Sequence, residues 1–249
     1  MKSINFLYIF LFFSSTLFAQ KGDFVDAVYS CSLKFDIQSL IAKIPKDNRK
    51  EAEVYLKHSL EKGLILDYSL NASDSISIFK LIPKISNSQD DGSLIVEEML
   101  SFDKLPTYKF TNKKEYLKEI DVLGKHFLIK EPIPLITWEI QKDEKYILSK
   151  KATKAIGYMG NQNVIAWFYD DIKISDGPYL LHGLPGLIAE AEFNINNVSH
   201  HYILKSLSNK RQKIKIKVSK KSEIITNEEL RSRIRKLQQE ARENSVNVE

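Results

Sequence analysis

Between Val164 and Phe193 the chain lays down two strand patterns, separated by a stretch so dense in glycine and proline that only a compact loop can join them. Val164-Ile165-Ala166-Trp167-Phe168-Tyr169 is a run of β-branched and aromatic residues, which suit a pleated, partly buried surface. From Leu187 the pattern alternates, with Leu187, Ala189, Ala191 and Phe193 on one face and Ile188, Glu190 and Glu192 on the other. Between these runs, Gly177-Pro178 and Leu184-Pro185-Gly186 are turn chemistry, because proline presets φ and a following glycine accepts φ > 0 without steric cost. Gly183 and Gly186 bracket one turn. The stretch therefore predicts a strand, a tight double turn and a second strand. Such a loop is either a corner whose backbone demands Gly-Pro geometry for packing, or a surface shaped to hold a ligand or partner.

Most of the remaining pattern is also β. Phe24 to Phe35 alternates around Val28 and Cys31, and Ile65–Leu70 and Ile76–Leu81 flank the turn residues Asn71 to Asp74 as a hairpin. Leu94–Leu100 and Phe127–Ile129 read as short strands. Ile136, Trp138 and Ile140 alternate with polar neighbours, Tyr146–Ser149 follows a turn at Lys142-Asp143-Glu144, and His201–Leu207 and Ile214–Val218 close the series. Many short strands with turn residues between them predict a mainly β fold, an antiparallel curled sheet forming a sandwich or partial barrel.

Two helices interrupt it. Between Pro45 and Lys62, Ala52, Tyr55, Leu56 and Leu60 recur at helical spacing, and Gly63 stands where a C′ glycine belongs. A C-terminal helix over about 226–244 has Thr226 as N-cap and Glu229 as its capping-box partner, with Ile225 and Leu230 in the staple positions. Leu230, Ile234, Leu237 and Ala241 form one stripe, for docking on the parent domain or on a partner. Ser86 to Ser93 and the residues beyond Asn244 carry low-order composition.

The first 19 residues form a signal peptide: Lys2 is their only charge, Phe6–Phe13 is almost wholly apolar, and Leu17-Phe18-Ala19 before Gln20 suits cleavage. The segment is too short and wrongly flanked for a membrane span, and no later apolar run approaches 18 residues. Cleavage would leave residues 20–249 as a single domain, and loss of Lys2 would lower the formal net charge from +5 to +4. One cysteine, Cys31, cannot make an internal disulfide, so core packing must hold the fold.

Catalytic signatures are absent: there is no Gly-x-Ser-x-Gly, His-Glu-x-x-His, Walker loop or Cys-x-x-Cys. Glu190 and Glu192 share a strand face about 6.6 Å apart at ~3.3 Å per residue, which suits acid–base hydrolysis or a plain solvent face. Asp170, Asp171 and Asp176 match no Ca²⁺ loop spacing and suit capping better. His200 and His201 point to opposite faces of a strand and cannot chelate one ion there, and His182 stands alone. No catalytic residue, metal ligand or cofactor is assigned. From Lys205 to Lys221 there are eight positive charges and no acid, with Lys213, Lys215 and Lys217 alternating with apolar residues. For an exported chain that strip suits anionic envelope lipid or glycan rather than nucleic acid, or simply guards an edge strand.

The hexapeptide Gly183-Leu184-Pro185-Gly186-Leu187-Ile188, with Trp167, Asp170, Ser175, Gly177 and Pro178 upstream, resembles the signature of the GLPGLI family, whose domain is of the Porph_ging type. The likeness extends to Phe127-Leu128-Ile129, Pro134, Ile136 to Ile140, Glu144 to Ile147 and Lys151-Ala152-Thr153, with a weaker echo at Tyr68-Ser69-Leu70 and Ser75. Ser149 or Lys150 stands where the family usually has a cysteine, and Gly157 precedes Tyr158 where a Gly-Arg pair is common. The resemblance implies a secreted protein of Bacteroidetes-type bacteria and a domain type, with no established activity.

The expectation is an exported protein of the periplasm or outer surface, non-enzymatic, that binds an envelope partner or a small apolar ligand. The motif residues would form the binding loop, and Trp138, Phe168 and Tyr179, with Trp167, would face the ligand. A periplasmic hydrolase using Asp170, Asp171, Asp176 and Glu190 is one alternative, and a structural subunit of a cell-surface complex presenting the C-terminal helix is another.

Overall fold

The computed structural model describes residues 24–42, 44–60, 63–83, 105–122, 125–195, 197–209, 214–219 and 222–246. The expected leader, the strand expected at Leu94–Leu100, the low-order stretch Ser86–Ser93 and Lys213 lie outside them. No helix among the described residues is long and apolar enough to cross a membrane.

The first described strand lies in the middle of the sheet. Strand β1 (Phe24–Phe35) is followed by helices α1 (Ile37–Ala42) and α2 (Arg49–Leu60), and then by a meander of β2 (Leu64–Ser73), β3 (Ser77–Ile82), β4 (Thr107–Phe110), β5 (Glu115–Val122) and β6 (Lys125–Pro132). The chain next jumps to the far edge and meanders back through β7 (Thr137–Ile147), β8 (Lys150–Met159), β9 (Gln162–Tyr169), β10 (Leu187–Ile195) and β11 (Val198–Ser208). Strand β11 lands beside β1. A short β12 (Glu223–Ile225) pairs parallel to β6 and leads into α3 (Asn227–Val246). Among the described residues the result is one 12-stranded sheet in the order β12-β6-β5-β4-β3-β2-β1-β11-β10-β9-β8-β7.

That order forces curvature. Strands β6 and β7 stand second and twelfth in the sheet, ten spacings apart. In a flat sheet they would be separated by about 48 Å at ~4.8 Å per strand. Yet the five steps from Pro132 to Thr137 reach at most about 18 Å. The sheet must therefore roll until its arms face each other, without the edges joining into a barrel. The mainly β, curled and open architecture expected from the strand pattern is the one observed.

Three hydrophobic clusters follow from the curl. The main one gathers Ala27, Tyr29, Cys31, Leu70, Ala166, Phe168, Ala191 and Tyr202 on the inner face. A second joins Tyr116, Ile120, Phe127 and Ile129 to Ile225 and Leu230, and a third packs α1 on α2 through Ile41, Leu56 and Leu60. Gly63 closes α2 at φ +70°, donating its N–H to Leu60 O at 2.9 Å.

Several local expectations are corrected. Lys142-Asp143-Glu144 is not a turn: β7 runs through it with a bulge between Ile140 and Glu144. The reversal comes at Leu148-Ser149, both at positive φ (47° and 60°) without the Asn-Gly chemistry that announces such a turn. Residues Ile214–Val218 form no strand. They are irregular, because the hydroxyl of Tyr108 takes both backbone groups of Lys217, donating to its carbonyl at 3.0 Å and accepting from its N–H at 3.1 Å. Strand β2 runs on to Ser73, so the hairpin turn moves toward Ile76, whose carbonyl accepts the Ser73 N–H at 2.9 Å. The inserted helix begins at Arg49 after a 3₁₀ turn at Lys46–Asn48, and a separate α1 precedes it. Strands β4, β5, β8 and β12 and helix α1 are not expected from the pattern. In β10, Ile188 is buried along with Leu187 and Ala189, since a register shift between Ile188 and Glu190 turns both neighbours inward.

Candidate functional site

The loop between β9 and β10 turns back inside the curl instead of standing out from it. Ile174, Leu181 and Leu184 join the main core, while Leu180 joins the second cluster beside Tyr116 and Phe127. The loop thus ties together the two arms that the curl brings face to face. Its anchor is Lys109 of β4, fully buried, whose ammonium is paired with Asp176 and donates to Gly177 O at 2.8 Å and Leu181 O at 3.2 Å. Three oxygens therefore use all three ammonium hydrogens. Asp176 Oδ1 also accepts the Gly177 N–H at 2.6 Å, whereas Oδ2 is buried with no partner among the described residues.

Further bonds fix the loop to its surroundings. Trp138 Nε1 donates to His182 O at 2.8 Å, and His182 Nε2 donates to Pro134 O at 3.0 Å, in the connection between β6 and β7. Tyr29 in β1 donates its hydroxyl to Ile188 O at 2.7 Å, and Tyr169 donates to Ile147 O at 2.5 Å. Gly183 N–H donates to Ser175 Oγ at 3.1 Å. Gly186 is required by close approach, since a Cβ there would lie 1.8 Å from Tyr169 O. At Gly177 a Cβ would sit 2.7 Å from that of Ile188.

Burial governs the electrostatics. Desolvation pulls the Lys109 ammonium below its ordinary pKa, and the Asp176 carboxylate opposes that shift. Burial raises the Tyr29 hydroxyl well above its ordinary range, reinforced by Asp176 and Tyr169. Tyr169 is pushed up to about 12, again mainly by desolvation. His182 is lowered, first by burial, against the pull of the Pro134 carbonyl. This arrangement holds charge and backbone in place and presents no solvent-facing nucleophile with a base.

The residues singled out from the sequence divide into separate environments. Gly177, Pro178, Leu184, Gly186, Leu187 and Ile188 are buried, and Ser175, Gly183 and Pro185 are exposed. Phe168 is core at 1% exposure. Tyr179, at φ +55°, stacks on Phe193 with centroids 6.1 Å apart, and Trp138 packs at the edge of the main core. The cavity beside Tyr179 holds about 10 Å³, room for no more than a water molecule. Trp167 lies half-buried with the Lys145 ammonium 4.3 Å from its ring centroid. The carboxylates do not converge: Asp170 accepts from Thr153 Oγ1, Asp171 pairs with Lys150, Asp176 with Lys109, and Glu190 with Lys145 and His201. Lys215 and Lys217 are exposed on the irregular segment. The sequence reading missed Lys109, the anchor of the whole arrangement.

A second feature lies at the other end of the same strands. The tips of the β8–β9 and β10–β11 hairpins and the end of β1 enclose a cleft of about 750 Å³. Asn161, Gln162, Asn163, Asn194 and Asn197 line it with Ser199, Phe35, Lys34 and Asp36. None of those five amide side chains forms a hydrogen bond among the described residues. Asp36, by contrast, is engaged, capping α1 through Ser39 N–H at 3.1 Å.

No curated protein matches the chain. Two solved structures of PNGF-II share its fold at a TM-score of 0.51, with 11% and 10% identity, over 84% of this chain. The chain spans about a third of PNGF-II, 32% of that protein's length. Residues 137–190, from the start of β7 into β10, match the model of the family described as "Protein of unknown function (Porph_ging)", a stretch that takes in the whole inward-folded loop.

Proposed function

We propose that this is an exported, non-enzymatic binding protein of the periplasm or outer surface, and that its Gly-Pro loop is a structural tie while its ligand is taken at the hairpin-tip cleft. Export is supported by the apolar leader Phe6–Phe13 with Leu17-Phe18-Ala19 before Gln20. The observation that carries the binding reading is the cleft of about 750 Å³ lined by five amides with no protein partner among the described residues. Its size lies in the range of ligand sites, ~300–1,000 Å³. The loop's polar groups are already committed to Lys109, Trp138, Tyr29 and Ser175, which leaves little for a substrate to engage.

Native mass spectrometry of the mature protein, isolated gently from its own cell envelope, tests this reading. A stoichiometric non-covalent adduct of small-molecule size is expected. A protein-sized adduct would shift the reading to a subunit of an assembly, and a bare monomer mass would contradict it.

A further inference from the structure

Strand interiors are poor places for asparagine, whose short amide competes with the backbone and packs weakly on a pleat. Asn161 and Asn197 have a local reason to be where they are: both sit in hairpin turns, and Asn197 adopts φ +66°, a conformation asparagine tolerates. Gln162 and Asn163 open β9 and Asn194 stands one residue before the end of β10, so all three adjoin the same turns, and both asparagines are exposed. Asn194 lies opposite Ser199, and Ser199 opposite Lys34. Continuing the rung Phe193↔Val164 by one step sets Asn163 opposite Asn194. A polar row thus crosses β9, β10, β11 and β1, with neighbouring side chains about 4.5–5.5 Å apart.

We propose that this row binds a neutral carbohydrate, an inference that rests on the binding reading above. A primary amide offers donors and an acceptor in one plane, and a sugar hydroxyl is likewise both donor and acceptor, so each can complete the other. Burying such groups against a ligand is favourable only where both sides are satisfied. Asn163 and Asn194 share the exposed face of this row, Asn161 and Asn197 lie in the turns beside it, and none of these four hydrogen-bonds within the described residues. Phe35 also lines the cleft, from the opposite face of β1, where it packs against the main and third clusters. The charged lining residues, Lys34 and Asp36, cancel, so the cleft selects neither anions nor cations. A peptide added as an extra strand is disfavoured, because β9, β10, β11 and β1 are each paired on both sides and offer no open edge.

The test is isothermal titration of the mature protein with a panel of neutral hexasaccharides built from glucose, mannose or N-acetylglucosamine. At least one is expected to bind. The double variant Asn163→Ala/Asn194→Ala should weaken that binding at least tenfold while its thermal midpoint matches the parent. Failure of the whole panel, or undiminished binding by a folded double variant, overturns the assignment. The two readings separate by the native mass measurement: a non-carbohydrate small-molecule adduct sinks the carbohydrate assignment and leaves the binding reading standing, whereas a bare mass sinks both.

Discussion

Lys109 lies in a four-residue strand, Thr107–Phe110, between the aromatic residues Tyr108 and Phe110, and its burial follows from what it meets across the curl. A lone buried ammonium would be expelled or neutralised, and the pair with Asp176 plus two loop carbonyls offsets part of that penalty. Breaking such a pair costs more than replacing it. Asp176→Asn or Lys109→Met alone should lower stability by about 3–5 kcal/mol, and Lys109→Met/Asp176→Leu should recover part of that loss. Chemical denaturation of the three variants checks this, and an additive double variant would contradict it. The pair was invisible beforehand because nothing near Asp176 in sequence names a partner 67 positions away. The glycines were legible, since the need for Gly186 beside Tyr169 is a backbone matter and backbone demands show in residue type.

At the level of elements, the pattern of alternation located β1 to the residue and most of the β2–β3 and β11 strands, because one face of each is buried and the other is not. Strands β4, β5, β8 and β12 escaped it. In β4, Thr107, Tyr108 and Lys109 are all buried, so the alternation that marks a strand disappears. The C-terminal helix was the most readable element. Glu229 accepts the Thr226 N–H at 2.7 Å, Thr226 Oγ1 accepts the Glu229 N–H at 3.1 Å, and Ile225 and Leu230 pack together in the second cluster. These bonds hold the Glu229 carboxyl below its ordinary 4.5. A carboxyl depressed in the folded state adds stability above its unfolded pKa and loses it as pH falls through the folded one. Hydrogen exchange in the first turn of α3 should therefore accelerate as pH falls from about 5 to about 3, after correction for intrinsic rates. Thr226→Ala, which removes only half of the box, should retain the pH response through the remaining Glu229 bond. An unchanged profile in the parent would remove the box from the account.

The whole molecule is governed by the short connection between β6 and β7. Four residues, 133–136, join strands ten spacings apart in the sheet, and no reading of local pattern reveals that, since both strands look ordinary by themselves. Once the sheet is rolled, its interior needs filling, and the inward-folded loop fills it, with Leu180 in one cluster and Leu181 and Leu184 in the other. The most recognisable stretch of the sequence thus fills the interior of the rolled sheet, and the proposed ligand cleft lies at the hairpin tips. Hydrogen exchange of the mature protein, with and without a small-molecule extract of its own envelope, tests that division most directly. The account predicts new protection in peptides covering 159–165 and 193–200, with 170–188 slow and unchanged in both states. Protection gained only within 170–188 would place the ligand at the loop and contradict it.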